Sequence, residues 1–431
     1  MVNLKLLFLV IDGMGDLPIE EFEGKTPLEF ASTPNMDYLA RNGKLGMMYT
    51  IGKGVAPESD AAVISILGYD PYKYYTGRGP IEAVGADIDM KDGDLALRCN
   101  FATLDKKNRI LDRRAGRDLT EEETSKLSKA INEEVKFDSY PADFEFKSTI
   151  SYRGVLVIKS RNKPLSSKIT ITDPAYEMIN GISIAKKEFK MVLDVSKPTD
   201  ESKEAKISSS LVNEFTDESH KALENHEVNK KRIDEGKLAA NCILSRSPSN
   251  KLPKLFSINE KYGVHFACLL DMPVERGISK LAGMSLIPLL PPTKNLQKDS
   301  VIRANKIFEI SPSYDCFYIH IKGPDEPGHD GNPVLKKELI EIIDTHFLGN
   351  FLPNVDLKDW LICITADHST PCKLKRHSDD PVPILISGDK IEGDKKDGFG
   401  EEVCKKGSLG ILKKGSELMP ILMRYLKKKQ V

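Results

Sequence analysis

The sequence lacks a surplus of charge of either sign. Its 431 residues carry 63 Lys and Arg against 64 Asp and Glu, a formal net charge of -1 at pH 7. Nucleic acid is therefore not an expected partner, because non-specific binding needs a general basic field. Closely paired cysteines are also missing. The seven cysteines (Cys99, Cys242, Cys268, Cys316, Cys363, Cys372, Cys404) are odd in number, scattered and without CxxC spacing. That excludes a disulfide framework and a thiolate zinc site, and points to the cytoplasm. Long apolar runs are absent as well. The opening MVNLKLLFLVIDG is broken by Asp12 well short of a signal peptide or a membrane span, so it reads as a buried strand and no membrane is expected as a partner. No segment repeats in tandem, and the closing KKKQV reads as a solvated end.

What is present is ordinary in amount and distinctive in arrangement. A hydrophobic content of 40% over this length supports a large core and more than one domain. Three apolar runs end in acidic residues: KLLFLVID (5–12), CFYIHIKGPD (316–325) and WLICITAD (360–367). Unbroken apolar runs mark strands buried on both faces, as in the parallel sheet of an α/β fold. Helical patterns follow two of them, TPLEFASTPNMDYLARNG and NPVLKKELIEIIDTHFLGNFL. Ligands of such a sheet collect outside the carboxyl ends of the strands, so Asp12, Asp325 and Asp367 are expected on one rim. Between about residues 100 and 237 the apolar runs shorten (SYRGVLVIKS, SKITITDP), and a long polar segment, residues 196–237, reads as solvated helix and loop. A second domain, 100–237, is thus expected inside a core made of 1–99 and 238–431.

Histidine is scarce, at eight residues, yet two fall in TADHSTPCKLKRHSDDPVP (365–383) and a third in GPDEPGHDG. Asp12, Asp325, His329, Asp367, His368 and His377 together offer six oxygen and nitrogen donors, enough for two divalent ions and too many like charges for a rim without them. Gly328 and Gly331 are expected to turn Asp325 and His329 toward one point. Carboxylate and imidazole without thiolate suit manganese or zinc, with magnesium or cobalt as alternatives. Two-metal sites clamp a displaced phosphoryl group, which makes phosphoryl transfer the leading reaction class. The nucleophile is expected at Ser59 in APESDAAVISILGYDP, where a helix amino terminus favours a developing alkoxide; the same serine would also serve as a simple N-cap.

VIDGMGD, TPLEFASTPNMDYLA, PESDAAVISILGYDP, TGRGPIEA, RCNFAT, DRRAGR, IKGPDEPGHDG and TADHSTPCKLKRHSDDPVPILISG, in this order, resemble the archaeal-type cofactor-independent phosphoglycerate mutases of the alkaline phosphatase superfamily. The resemblance implies an alkaline-phosphatase-like α/β core, a mostly parallel sheet flanked by helices, with a smaller inserted α+β domain that binds substrate and acts as a lid. It implies that Ser59 is phosphorylated during turnover. It implies one metal ion on Asp12, Ser59, Asp367 and His368, and a second on Asp325, His329 and His377, manganese foremost. The reaction implied is interconversion of 3-phosphoglycerate and 2-phosphoglycerate, in glycolysis and gluconeogenesis, without 2,3-bisphosphoglycerate.

A substrate bearing carboxylate and phosphate requires several cations, and arginine forks suit both. Arg98, Arg114, Arg117, Arg246 and Lys322 are the cations nearest the matching motifs, with DKKNRILDRRAGRD the strongest group. One departure concerns Arg246: family members carry a glycine-rich turn after it, and this chain has Ser247 and Pro248. The alternatives are a metal-dependent phosphohydrolase or another phosphomutase with the same metal core, and, from another class, a non-catalytic binding protein on the same fold.

Overall fold

The computed structural model describes residues 4–179, 182–186, 188–290 and 292–427. The end of the basic tail, from residue 428, lies outside them. The chain divides into two compact units, one of Met1–Tyr75, Leu255–Asp271 and Ile278–Val431, the other of Thr76–Lys254 and Met272–Gly277. The sequence placed this boundary at residues 100 and 237. The strand Leu95–Leu104 runs through residue 100 without a break and belongs wholly to the second unit.

The first unit is built on an eight-stranded sheet whose order is Ser285–Leu286, Phe266–Leu269, Cys316–Ile321, Lys5–Ile11, Trp360–Thr365, Val382–Ser387, Gly43–Met48, Gly410–Leu412. The Lys5–Ile11 strand pairs in parallel with both neighbours, Val10 standing opposite His320 on one side and Thr365 on the other. Val382–Ser387 alone runs antiparallel to both its neighbours. Leu6 to Ile11, Cys316 to Ile319 and Ile362 to Ile364 are 0–1% exposed, as expected of strands covered on both faces. The three acidic runs therefore end side by side.

The helix read after the first strand is two helices. Thr26 caps Pro27–Phe30 through a capping box with Glu29, and the chain is extended at Ala31 before Pro34 starts Pro34–Arg41. The amino terminus of the second helix is closed by buried Asp344, which accepts from the Asn35 and Met36 amides at 3.2 and 2.8 Å. The second pattern forms Pro333–Ile343 and continues through a wider π turn at Asp344–Leu348.

The second unit is α+β. Its sheet runs Ile110–Asp112, Leu95–Leu104, Arg153–Ser160, Ala142–Ser148, with Cys242–Ser249 also pairing antiparallel to Leu95–Leu104. Strand alternation divides the two faces. Leu95, Leu97, Cys99 and Phe101 point into a core with Leu127 and Ile131 of Glu121–Glu134 and Leu211, Val212 and Phe215 of Lys203–Glu224. Ala96 points the other way, onto Ala83 and Ile88. The polar segment read as solvated thus contains a 22-residue helix with a buried stripe. Its apolar residues are few, but their helical spacing lines them up on one face. All seven cysteines are buried and unpaired.

Candidate metal centre and arginine cluster

Asp12 follows the central strand and donates its amide to Ile321 O at 3.0 Å, which ties it to the end of the neighbouring strand. Gly13 turns with φ +61, and a Cβ there would lie 2.7 Å from the Asp325 Cα, so the close approach of the two loops requires glycine. The Gly13 and His368 amides both donate to Asp367 Oδ1, at 3.1 and 3.0 Å. The other oxygen, Oδ2, is buried and has no hydrogen-bond partner among the described residues.

GPDEPGHDG is not the glycine turn expected. It forms a short helix, Asp325–Asp330, and Asp325 and His329 meet because residues four apart share a helix face. Gly331 ends the helix with φ 75, and Gly328 sits where a Cβ would strike Thr370 O at 2.4 Å.

Two donor groups result, Asp12 with Asp367 and His368, and Asp325 with His368 and His377. Hydrogen bonds on the far side of each imidazole decide where its lone pair lies. His377 Nδ1 donates to Pro57 O at 2.7 Å, and His329 Nδ1 lies 3.3 Å from Lys375 O. Carbonyls only accept, so the two neutral rings would turn lone pairs toward each other across 3.2 Å. Asp325 Oδ1 adds a third, 3.4 Å from His377 Nε2 and 3.5 Å from His329 Nε2. In the other group the Thr370 hydroxyl donates to Asp325 Oδ1 at 2.6 Å, so it accepts from His368 Nδ1 at 3.0 Å. His368 Nε2 is left with its lone pair 3.1 Å from Ser59 Oγ, 3.3 Å from Asp367 Oδ2 and 3.6 Å from Asp12 Oδ1.

The electrostatics follow from this convergence. Burial and the Asp12 charge push Asp367 up to about 7. Burial opposes charging of His377, but its hydrogen bond to Asp325 and the Glu58 charge outweigh burial and raise it to about 9. Burial and then the His377 charge hold His368 down at about 3, a neutral donor. Burial works to raise Asp12, yet the Lys322 ammonium and the imidazoles of His320 and His368 hold it well below the usual range. In each group, where several electron pairs meet, one residue, Asp367 or His377, thus holds a proton more readily than it would in water. Oxygen and imidazole donors with outward-facing Nδ1 partners fit a divalent ion in both groups.

Comparison with known proteins places the chain in a family. The family model described as 2,3-bisphosphoglycerate-independent phosphoglycerate mutase matches residues 40–229. A protein of that name from Aeropyrum pernix is 40% identical over 432 residues, covering 98% of this chain and 100% of its own, and one from Thermococcus kodakarensis is 38% identical, covering 100% and 99%. The chain belongs to this mutase family. Among solved structures it is similar to a protein from Pyrococcus horikoshii (TM-score 0.77, 32% identity, 99% and 98% covered) and to the cofactor-independent phosphoglycerate mutase of Thermoplasma acidophilum (TM-score 0.64, 31%, 98% and 100%).

In this family member Ser59 is the first residue of the Ser59–Ile66 helix, with Glu58 as the N-cap, so its hydroxyl does not cap the helix. Lys322, expected among the substrate cations, stands 3.2 Å from Asp12 Oδ1 in the first unit. His320 was missed. It is 1% exposed, with Nε2 3.5 Å from Asp367 Oδ2 and 3.8 Å from Asp12 Oδ1. The signal available was a histidine near the carboxyl end of an otherwise apolar strand.

The remaining expected cations lie in the second unit. Arg98 and Arg246 are cross-strand partners. Arg246 is buried over the Tyr176 ring at 4.2 Å, and where a turn was expected after it the strand Cys242–Ser249 continues through Ser247, at φ 52, and Pro248, with a shift of register against Ala96 and Arg98. Arg114 lies half-buried, 5.9 Å from the Tyr152 ring, and Arg117 is exposed. Their neighbour Arg113 is the one that forks onto buried Asp173, at 2.8 and 2.7 Å. Arg113, Asp173 and Tyr176 were not singled out, since three adjacent arginine-rich positions look alike until the turn is folded.

Proposed function

We propose that this chain is an isomerase that interconverts 3-phosphoglycerate and 2-phosphoglycerate by two phosphoryl transfers, with Ser59 carrying the group between them. The observation that carries the reading is the Ser59 hydroxyl 3.1 Å from His368 Nε2, a nitrogen whose lone pair faces it. In the first transfer the phosphorus–oxygen bond to the glycerate breaks as one to Ser59 Oγ forms, and the serine proton passes to the departing glycerate oxygen. The second transfer reverses this at the other hydroxyl, so no 2,3-bisphosphoglycerate is consumed.

Asp12, Ser59, Asp367 and His368 would hold one divalent ion and Asp325, His329 and His377 the other, manganese ahead of zinc, cobalt or magnesium. When bound, such ions lower the proton affinity of a hydroxyl and offset charge on phosphoryl oxygens. Arg98 and Arg246 would take anionic groups of the substrate, and Arg114 and Arg117 would contribute charge nearby. No helix among the described residues is long and apolar enough to cross a membrane, and a place in cytoplasmic glycolysis and gluconeogenesis suits the reading.

The test is a coupled assay on both phosphoglycerates without added 2,3-bisphosphoglycerate, with free phosphate followed in parallel. Isomerisation without phosphate release, loss of turnover in Ser59→Ala with metal content retained, and phosphate on Ser59 by mass spectrometry are expected. Phosphate release in place of isomerisation would make the chain a phosphohydrolase. Phosphate on a histidine would overturn the serine mechanism.

A further inference from the structure

The helix Pro333–Ile343 puts a lysine where its spacing calls for an apolar residue. Its buried residues are Lys336, Ile340 and Ile343, and steps of four and then three positions bring them onto one face. Lys336 is 0% exposed. Its neighbour Lys337 instead makes the ordinary pair with Glu341 one turn on, at 3.0 Å. A buried ammonium is costly unless each of its three N–H groups finds an acceptor. Those of Lys336 do so: Nζ donates to Gly15 O at 2.9 Å, to Asp16 Oδ2 at 2.8 Å and to Thr370 O at 2.9 Å.

These acceptors lie on two of the loops that carry the donor groups. Gly15 and Asp16 follow Asp12, and Thr370 follows Asp367 and His368. Gly15 O accepts a second bond, from the Thr370 amide at 3.0 Å, and a Cβ on Gly15 would lie 2.2 Å from Ser369 Oγ. Asp16, which ends VIDGMGD and belongs to neither donor group, also accepts from the Cys372 amide at 3.2 Å. Its own amide donates to Glu401 Oε1 at 3.1 Å. The helix Asp325–Asp330 meets the same point, with Gly328 packed against Thr370 O.

A buried ion pair is weak evidence of stability, because apolar residues of similar volume often serve as well. What an apolar side chain cannot do is join two carbonyls and a carboxylate from different loops. We propose that Lys336 is a positioning residue for the metal centre, its ammonium locking the loop after Asp12 to the loop after His368 so that both donor groups stand formed before an ion binds. It reaches both groups through Thr370, whose backbone it fixes and whose hydroxyl donates to Asp325 Oδ1 and accepts from His368 Nδ1. Donors already in place cost less to order when the ion binds. The inference rests on the reading of the donor groups as a divalent-metal centre.

The experiment uses the full-length protein with Lys336→Met and Asp16→Asn. Manganese affinity is read by competition with a chelator, turnover by titration with manganese, and amide hydrogen exchange of residues 13–16 and 367–372 by mass spectrometry. Lys336→Met keeps most of the volume and removes the charge. It should lower manganese affinity about 10- to 100-fold, the usual cost of losing an outer partner of the ligands. Excess manganese should restore kcat with KM unchanged, because a fully buried lysine does not reach substrate. Exchange in both loops should quicken. Asp16→Asn should move the same readouts in the same direction and less far, since it weakens one of three bonds. A purely structural lysine would instead lower the melting temperature and leave manganese affinity and loop exchange as in the wild type, and that result overturns the proposal. Should Lys336→Met fail to fold, Asp16→Asn decides by the same readouts. If the wild type binds no manganese while exchange in the two loops still quickens in Lys336→Met, the metal reading fails and the clamp between the loops stands.

Discussion

The Thr370 hydroxyl donates to Asp325 Oδ1 at 2.6 Å, and this single bond settles the tautomer of His368, whose Nδ1 lies 3.0 Å from the same oxygen. One hydroxyl therefore orients a residue in each donor group. Thr370→Val keeps the shape and removes the bond. Manganese affinity, measured by competition with a chelator, should fall about 10- to 100-fold, the usual cost of losing an outer partner of a ligand. Unchanged affinity would show that His368 is oriented by packing alone.

Chelation should lower thermal stability and be accompanied by proton uptake. With the ions gone, His377, raised to about 9 by its hydrogen bond to Asp325 and the Glu58 charge against the pull of burial, takes a proton at pH 8. Asp367, raised to about 7 by burial and by Asp12, joins it as the pH falls toward 6. Uptake should therefore grow from about one proton per molecule at pH 8 to about two at pH 6. Calorimetry in buffers of different ionisation heat reads this directly, and chelation without proton uptake would refute the assignment of the donor groups.

Glu401 gives a second pH dependence, away from the donor groups. It is 5% exposed and accepts from the Asp16 amide at 3.1 Å and the Thr26 hydroxyl at 2.6 Å. Burial, and then the Glu29 charge, raise it to about 7. The folded state then holds a proton that the unfolded chain has released, so stability is greatest below the ordinary glutamate range and falls as pH rises toward 7. Relative to Glu401→Gln, the wild type should lose roughly 3 kcal/mol across that window. Parallel stability curves for the two proteins, by urea unfolding, would contradict this.

Arg232, 0% exposed, ties the second unit together. It donates to Leu238 O at 2.8 Å, to Glu123 at 3.1 Å, to Asp118 at 2.5 Å and to Ala115 O at 3.3 Å. The turn it holds has Ala115, Gly116 and Arg117 all at positive φ, a conformation that only glycine adopts freely. Arg232→Met should cost roughly 2 kcal/mol in urea unfolding, a modest figure because Asp118 returns to water. No change in the unfolding midpoint would mean that the turn holds itself.

The three strands that carry Asp12, Asp325 and Asp367 were legible because a strand buried on both faces leaves an unbroken apolar run, and the residue that ends the run must lie at the sheet rim. Asp12, Asp325, His329, Asp367, His368 and His377 could be counted as donors at or just beyond those ends, while their division between two ions came only from the family resemblance. His320 was not legible, since a strand interior gives no sign of which residue faces a neighbouring loop. The long polar segment misled because helical spacing hides a buried stripe among many charged residues.

Strand identity, the α/β class and the residue types of the donor groups are local properties of the sequence, set by side-chain hydrophobicity and by chain ends that must leave the sheet. Which donors share a group, which nitrogen of each histidine carries the lone pair, and which of several adjacent arginines faces a buried carboxylate are decided only by the tertiary structure. These depend on contacts such as Thr370 with Asp325, Pro57 with His377 and Glu82 with Arg98, formed between segments whose separation along the chain says nothing about their distance in space.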